Sequence, residues 1–198
     1  MKNTLLLIGI VSIVSLTFIQ CGKDSDPFII KKSAIGTLTN DIKMKQIDSI
    51  FANDSIVKIQ SSPNALETQG EVEIYEKGGK KLLLLSPKNE ADPNTTITNI
   101  QVFDPRYKTD KGLNSASIFK DVKENYTIEN IETTINSIVV FLKDSDVYLT
   151  IDKKSLPEEL RYDMNLKVEA SQIPDVAPFK YFMIGWEPSE AKPDHADE

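Results

Sequence analysis

Apolar and polar residues alternate along several short segments, which is the pattern of β-strands with one buried face. Between residues 55 and 103 the pattern predicts four strands, at 55–60, 71–76, 82–85 and 97–103. Gly78 and Gly79 lie between the second and third strands, and two adjacent glycines supply the positive φ angles of a tight hairpin. The four consecutive leucines at 82–85 indicate burial on both faces, so this strand is expected inside the sheet rather than at its edge.

The second half of the chain shows the same alternation. It predicts a turn at 143–146 and strands at 128–134, 138–142, 147–151 and 179–186. In the third of these strands Val147, Leu149 and Ile151 share one face, because side chains two residues apart point the same way. One face of the sheet is therefore expected to be buried.

Apolar residues at helical spacing predict short helices between the strands. The first helix, at about 41–52, follows a polar opening and carries one apolar stripe, Met44, Ile47, Ile50 and Phe51. The second has an equivalent stripe, Ile118, Phe119, Val122 and Tyr126. Ser155 and Glu158 have the spacing of a capping box and predict a third helix that ends near residue 163.

The order of these elements indicates a duplication. A glycine turn, a polar cap, a helix and strands occur once after Gly36 and again after Gly112. The predicted fold class is α+β, a mostly antiparallel sheet with short helices packed on one face, in a single domain at 33–186. The two units are expected at about 33–103 and 104–152, followed by a C-terminal helix and strand. The acidic, proline-containing segment 187–198 is expected to be disordered.

The N-terminus has the layout of a secretory signal. Residues 5–19 carry no charge, Lys2 precedes them, and the run ends at Cys21, the only cysteine. The run is shorter than the roughly 20 residues that a membrane-spanning helix needs. We therefore expect a signal peptide at 1–20 and a tether at 21–32 that leads to the folded domain.

Cys21, directly after the apolar run, resembles the cysteine of bacterial lipoproteins, which is acylated and becomes the mature N-terminus. Lys23, Asp24 and Asp26 resemble the export signal that follows this cysteine in surface lipoproteins of the Bacteroidota. The resemblance implies a lipid anchor in the outer membrane, exposed at the cell surface, with the periplasmic face as the alternative. The competing interpretation is a free thiol after an ordinary signal, with a solvated linker behind it.

A second resemblance covers about half of the mature chain. The segment from Val102 through Tyr107–Lys108–Thr109 and Gly112–Leu113, together with 181–186, is similar to uncharacterised lipoproteins of the Bacteroidota. That likeness implies an α+β fold and no transferable activity. In outline the chain also looks like the duplicated helix-plus-sheet modules of periplasmic inhibitors and outer-membrane assembly lipoproteins, a likeness of architecture that does not give a function.

Composition and charge exclude several classes of function. The 198 residues include 30 acidic and 23 basic side chains, a net charge of −7, and an acidic surface repels nucleic acids and anionic headgroups. The single cysteine permits no internal disulfide. The only histidine, His195, lies in the acidic tail, which disfavours catalysis by a Ser/His/Asp or Cys/His arrangement. We expect neither a metal nor another cofactor.

One segment is a candidate partner-binding patch. Asp104, Arg106, Tyr107 and Lys108 combine charge with an aromatic ring at the junction of the two units, although Asp104–Pro105 is also ordinary turn chemistry. We favour the turn and retain the four residues as the best candidate for recognition.

Two further groups have structural interpretations that we prefer. Asp144 and Asp146 could face a calcium ion, but a calcium loop needs more oxygen ligands than this segment offers, so a hairpin turn is favoured. Tyr181, Phe182 and Trp186 could stack on a carbohydrate, but their strand also carries Met183 and Ile184, which favours core packing.

The sequence thus predicts a lipid-anchored, non-catalytic binding or envelope-interaction module that contacts the membrane through its lipid and acts on another envelope protein. The alternative is a hydrolase of the envelope that uses carboxylates alone, which would require a deep pocket lined by two acids.

Overall fold

The computed structural model describes residues 26–59, 70–92, 94–162 and 167–186. It is a mixed α+β structure in which strands predominate and the helices are few and short. Eight strands form the main sheet: β4 Ser55–Ile59, β5 Glu71–Tyr75, β6 Lys81–Pro87, β7 Ile97–Val102, β9 Ile128–Thr133, β10 Ser137–Leu142, β11 Val147–Asp152 and β12 Tyr181–Gly185. Four shorter strands form a second sheet: β1 Ile29–Lys31, β2 Ala34–Ile35, β3 Leu38–Thr39 and β8 Lys108–Thr109.

The main sheet joins two meanders. Its order is β4-β5-β6-β7-β12-β11-β10-β9, and every neighbouring pair is antiparallel. The last strand of each meander therefore lies at the centre, where β7 pairs with β12. The predicted strands are confirmed, and the leucine-rich strand β6 is interior as expected.

The register places one apolar residue from every strand in a single row across the sheet. The row is Ile56, Ile74, Leu83, Val102, Phe182, Leu149, Val140 and Ile131. Its six central members are at most 2% exposed. We call the side of the sheet that carries this row the inner face, and the opposite side the outer face.

The helices and the small sheet contribute to the same core. Helix α1 spans Ile47–Ile50 and helix α2 spans Phe119–Asn125. Their buried residues, Ile47, Phe119 and Val122, belong to one hydrophobic cluster with the inner-face residues. The backbone amide of Ile118 donates to the Asp121 carboxylate at 2.9 Å, which satisfies one of the free amides at the start of α2.

Gly36 and Gly112 mark turns before the two helices, as predicted. Gly36 has φ +56°, and a Cβ there would lie 2.2 Å from the Pro27 carbonyl oxygen, so only glycine fits. Gly112 has φ +85° with open space around it, so only its backbone conformation favours glycine.

Two helix predictions are wrong in extent. The helix expected at 41–52 is reduced to a 3-10 turn at Met44–Gln46 and the single turn of α1. Lys43 instead forms a bridge with Thr96, and the Met44 amide donates to the Thr95 carbonyl at 2.9 Å, so the chain is extended there. The predicted apolar stripe itself is confirmed, because Met44, Ile47 and Phe51 are buried.

The helix expected at 155–163 is replaced by separate 3-10 turns at Lys153–Ser155 and Glu158–Leu160. Leu156, between them, is extended with φ −89° and ψ 161°. The residue before a proline is sterically disfavoured in the helical region, so Pro157 breaks the helix that the capping-box spacing suggested.

The folded body also begins before the predicted boundary at residue 33. Residues Ile29–Lys31 form β1, which pairs with β2 and β8, and Ile30 is only 4% exposed. Residues 29–31 of the predicted tether therefore belong to the folded body. The predicted signal at 1–20, Cys21, Lys23, Asp24 and the predicted tail at 187–198 lie outside the described residues.

Candidate binding surface

Asp104, the first residue of the predicted binding patch, is completely buried. Its carboxylate accepts hydrogen bonds from the Arg106 backbone amide at 2.9 Å and from the Arg106 Nε and Nη2 atoms at 2.9 and 2.6 Å. Lys80 adds a fourth donor, with Nζ 3.0 Å away. Asp104 therefore holds the end of β7 to the hairpin that precedes β6.

These hydrogen bonds and ion pairs determine the charge states of Asp104 and Arg106. Burial on its own raises the pKa of Asp104, but hydrogen bonds from Arg106 and Lys80 outweigh it and lower the pKa to about 2. The same bond to Asp104, with a second one to Glu76, raises the pKa of Arg106. The carboxylate and the guanidinium are thus both charged at neutral pH.

Tyr107 is also part of the core, with 4% of its surface exposed. Its ring packs edge-on against Phe28, with ring centroids 4.9 Å apart, and Arg106 lies over the other ring at 4.4 Å. Burial, followed by the charges of Asp54 and Asp104, raises the pKa of Tyr107 to about 12. Asp104 and Tyr107 are therefore buried structural residues. Of the four candidate residues, Arg106 and Lys108 are exposed to solvent.

The Asp144–Asp146 segment is a turn, as favoured. Asp144 has φ +58°, the Ser145 hydroxyl accepts the Val147 amide at 3.1 Å, and Asp146 accepts the Ser33 amide at 2.6 Å. Within the ranges that the structure describes, no three His, Cys, Asp or Glu side chains are grouped to hold a metal.

The two aromatic residues of β12, together with Trp186 directly after it, divide between core and surface. Phe182 and Trp186 are 1% and 4% exposed, whereas Tyr181 is 41% exposed. They do not form a common stacking platform, so the core interpretation holds for two of the three.

The outer face of the main sheet is a second candidate binding surface, and it was not predicted from the sequence. Its central row is Val57, Glu73, Leu84, Gln101, Met183, Tyr148, Phe141 and Asn130, one residue from every strand. Val57 is 47% exposed, and the row is half-buried from Glu73 to Phe141. Eight strands about 4.8 Å apart make this surface roughly 34 Å wide.

Side-chain contacts hold the outer face in place. Phe141 and Tyr148 stack with their centroids 5.6 Å apart, and the Tyr148 hydroxyl donates to Asn99 Oδ1 at 2.9 Å. Burial raises the pKa of Tyr148. Hydrogen bonds from Lys81 and Tyr75 lower the pKa of Glu73, so the row also carries a fixed negative charge.

A cavity of about 620 Å³ opens beside the stacked pair. Its wall includes Phe141, Tyr148, Trp186 and two acids, Glu129 and Asp146. The Nε1 atom of Trp186 is buried and has no hydrogen-bond partner within the described ranges. Asp146 already accepts the Ser33 amide, so it serves the local backbone as well as lining the cavity.

A signal for the outer face was present in the sequence. Along a strand with one buried face, the positions that alternate with the buried ones usually carry polar residues. Here several of these positions carry large apolar or aromatic residues: Val57, Phe141, Tyr148 and Met183. Which of these positions become neighbours depends on the strand order, and the alternation alone does not give that order.

Among the described residues, no helix is both long and apolar enough to span a bilayer.

No protein-family model matches the chain, and no curated protein shows significant similarity to its sequence. Among solved structures, the chain is similar to the uncharacterized protein yfeY from Escherichia coli, with a TM-score of 0.50 and 15% identity. The match covers 78% of this chain and 97% of that one, and at this identity it shows a shared fold alone.

Proposed function

We propose that this protein is a lipid-anchored, non-catalytic module of the cell envelope that binds another envelope protein through the outer face of its main sheet. The observation that carries the proposal is the row of mixed side chains that crosses all eight strands. A surface about 34 Å wide suits a macromolecule better than a small ligand.

The composition of the row supports a protein partner. Aromatic residues and methionine are enriched in protein interfaces, and the row contains Met183, Tyr148 and Phe141 as consecutive members on β12, β11 and β10. The aromatic rings are already stacked, so little side-chain freedom is lost when a partner covers them.

Charge indicates the chemistry of that partner. The outer face carries Glu71, Glu73 and Glu132, and Lys81, its basic neighbour, is paired with Glu73. Opposite potentials on two surfaces raise the association rate and exclude wrong partners. We infer a partner whose binding surface is apolar at the centre and basic at the rim.

The carboxyl groups support a non-catalytic role. The carboxyls with displaced pKa values among the described residues, Asp41, Glu73 and Asp104, are all shifted downward by hydrogen bonds or ion pairs that outweigh burial. A general acid in glycoside hydrolysis needs the opposite shift. A hydrolase would need two acids in one cavity. Glu129 and Asp146 share the cavity beside the outer face, and Asp110, Asp144 and Asp146 share another cavity of about 560 Å³.

We also infer that the domain arose from two similar units. Each meander follows a glycine turn and a short helix, and the last strands of both, β7 and β12, meet at the centre. A pseudo-twofold arrangement of this kind would make one continuous outer face from two equal halves.

A matched pair of variants tests the binding surface. Val57→Lys places a charge on the outer face, and Val176→Lys places the same charge at a residue that is 76% exposed elsewhere. A photo-crosslinking residue at position 141, introduced in the lipidated protein in cells, should trap a partner in wild type and in Val176→Lys. The adduct should fall at least about tenfold in Val57→Lys, which corresponds to about 1.4 kcal/mol. Equal adducts in both variants, or none with wild type, would contradict the proposal.

Protease treatment of intact cells tests the location. If Lys23 and Asp24 direct surface export, wild type is digested and Lys23→Ala/Asp24→Ala is protected. Protection of both would place the protein on the periplasmic side.

A further inference from the structure

Lys153 is a basic residue whose polar end is buried. The residue is 4% exposed, and its Nζ atom has no hydrogen-bond partner among the described residues. Surface lysines usually bury their methylene groups and keep the amine in water. Here the amine is withdrawn from water as well, and an uncompensated buried polar group is strongly unfavourable.

The backbone around Lys153 explains its position without supplying a partner for the amine. Its own amide donates to the Asn136 carbonyl at 3.0 Å, which ties the 3-10 turn to the loop between β9 and β10. Asp152, the adjacent acid, accepts the Lys154 amide at 2.9 Å and lies 3.8 Å from Lys180 Nζ. That carboxylate therefore serves the turn and Lys180, not Lys153.

Lys153 forms part of the wall of a cavity of about 560 Å³ at the end of β11. Among the described residues, the other charged side chains of the wall are Lys154, Arg161, Lys180 and Asp152, so this part of the wall has four basic groups and one acid. It is basic in a chain whose net charge is −7. Arg161 is held beside the cavity because its Nε atom donates to the Leu156 carbonyl at 2.8 Å.

The rim of the cavity is apolar and exposed. Tyr162 is 80% exposed and Ile135 is 71% exposed, and both line the opening. Large apolar side chains exposed next to concentrated positive charge suit a ligand with an anionic head and an organic body.

We propose that this cavity binds the phosphate group of an organic phosphomonoester, with its organic part against Tyr162 and Ile135. A phosphate has enough oxygen acceptors for several ammonium and guanidinium donors at once, and its negative charge beside Lys153 would compensate the buried amine. The acidic remainder of the surface disfavours a polyanion such as a nucleic acid. The site lies at the end of β11, beyond the central row of the outer face, and it does not depend on the partner proposed for that face.

Calorimetric titration of the purified folded domain with inorganic phosphate and with phenyl phosphate tests the proposal, in buffer matched for ionic strength with chloride. Wild type should bind both, and phenyl phosphate several-fold more tightly. Lys153→Met keeps the length of the side chain and removes the amine. It should unfold at a higher temperature than wild type without ligand, and its binding should fall at least tenfold.

Two more variants keep the result interpretable. Lys180→Gln removes a partly exposed cavity residue and should weaken phosphate binding about tenfold with little change in unfolding temperature. Lys120→Met, on the exposed side of α2, should bind as wild type does. The absence of phosphate binding by wild type, or equal binding by wild type and Lys153→Met, would overturn the proposal.

The source of the phosphate is tested with vesicles. Flotation with phosphatidic acid vesicles, but not with phosphatidylcholine alone, would place the phosphate on a lipid if the effect depends on Lys153 and phenyl phosphate competes. Binding of phenyl phosphate without flotation would place it on a soluble molecule. Flotation that is equal in wild type and Lys153→Met would argue against a phosphate site in this cavity.

Discussion

Replacing Asp104 with asparagine should destabilise the fold at neutral pH and make its stability less dependent on acid. The carboxylate is completely buried and accepts four hydrogen bonds from Arg106 and Lys80. Asparagine fills the same volume but removes the negative charge. The two basic side chains are 39% and 54% exposed, so they can turn to water after the substitution instead of remaining buried without a partner.

The magnitude follows from the pKa of Asp104. It falls from an ordinary value of 3.8 to about 2 in the folded protein, which corresponds to about 2.4 kcal/mol. Because the folded pKa is depressed, this stability is present above pH 3.8 and is lost as the pH falls toward 2. At pH 3 about half of it, roughly 1.3 kcal/mol, should remain.

Urea unfolding at pH 7, 4 and 3 measures the effect. The difference between wild type and Asp104→Asn should be about 2 kcal/mol at pH 7 and about 1 kcal/mol at pH 3. Asp175→Asn is the matched control, because Asp175 pairs with Lys123 at 2.6 Å but is 52% exposed. A solvent-exposed ion pair contributes about 0–1 kcal/mol, so this control should change stability little. A loss below about 0.5 kcal/mol for Asp104→Asn at pH 7, or a difference independent of pH, would refute the reasoning.

Three further predictions concern the core, a turn and the anchor. Phe119→Ala should destabilise the protein by about 3–5 kcal/mol in urea unfolding, because Phe119 is fully buried, and a loss under about 1 kcal/mol would mean that α2 does not pack on the core. Gly36→Ala should cost clearly more than Gly112→Ala, which should cost about 1 kcal/mol, because only at Gly36 does the new Cβ meet backbone, and equal losses would contradict the close approach. Metabolic labelling with a fatty-acid probe should mark wild type and not Cys21→Ser, and persistent labelling of the variant would exclude acylation at Cys21.

The sequence predicted the secondary structure correctly where apolar residues alternate with the period of a β-strand. Val72 and Ile74, like Val147, Leu149 and Ile151, alternate because one side of their strands faces the core, and the structure buries all of them. The adjacent glycines 78 and 79 form the expected turn, with φ +114° and +90°. These features depend on residues that are close together in the sequence, so they can be predicted from it.

The wrong predictions arose where a longer-range contact or a proline competed with helix formation. The bridge between Lys43 and Thr96 keeps the chain extended where the apolar stripe suggested a helix. Only the position of the β6–β7 loop makes that bridge available, and the sequence does not give it. Pro157, by contrast, could have been used to divide the third helix.

The candidate surfaces were harder to predict because each is assembled across strands. Phe141 and Tyr148 become stacked neighbours only when β10 pairs with β11 in the observed register. Asp104 looked like an ordinary turn residue, and its burial depends on donors from Lys80 in another hairpin as well as from Arg106. A charged residue in a loop carries no local mark that distinguishes burial from exposure.

Asp104 and Lys153 are both buried charged residues, but they differ in whether the protein supplies hydrogen-bond partners for them. Asp104 is surrounded by donors that lower its pKa to about 2, so its burial is compensated inside the protein. Lys153 is also buried, yet its Nζ atom has no acceptor in the part of the chain that the structure describes, while a cavity lined by three more basic side chains adjoins it. A structural role would be served better by an apolar side chain of the same length, since removing an unsatisfied polar group from a core is favourable. Because Lys153 destabilises the folded domain, we expect its role to be ligand binding. A higher unfolding temperature for Lys153→Met than for wild type would measure this destabilisation directly.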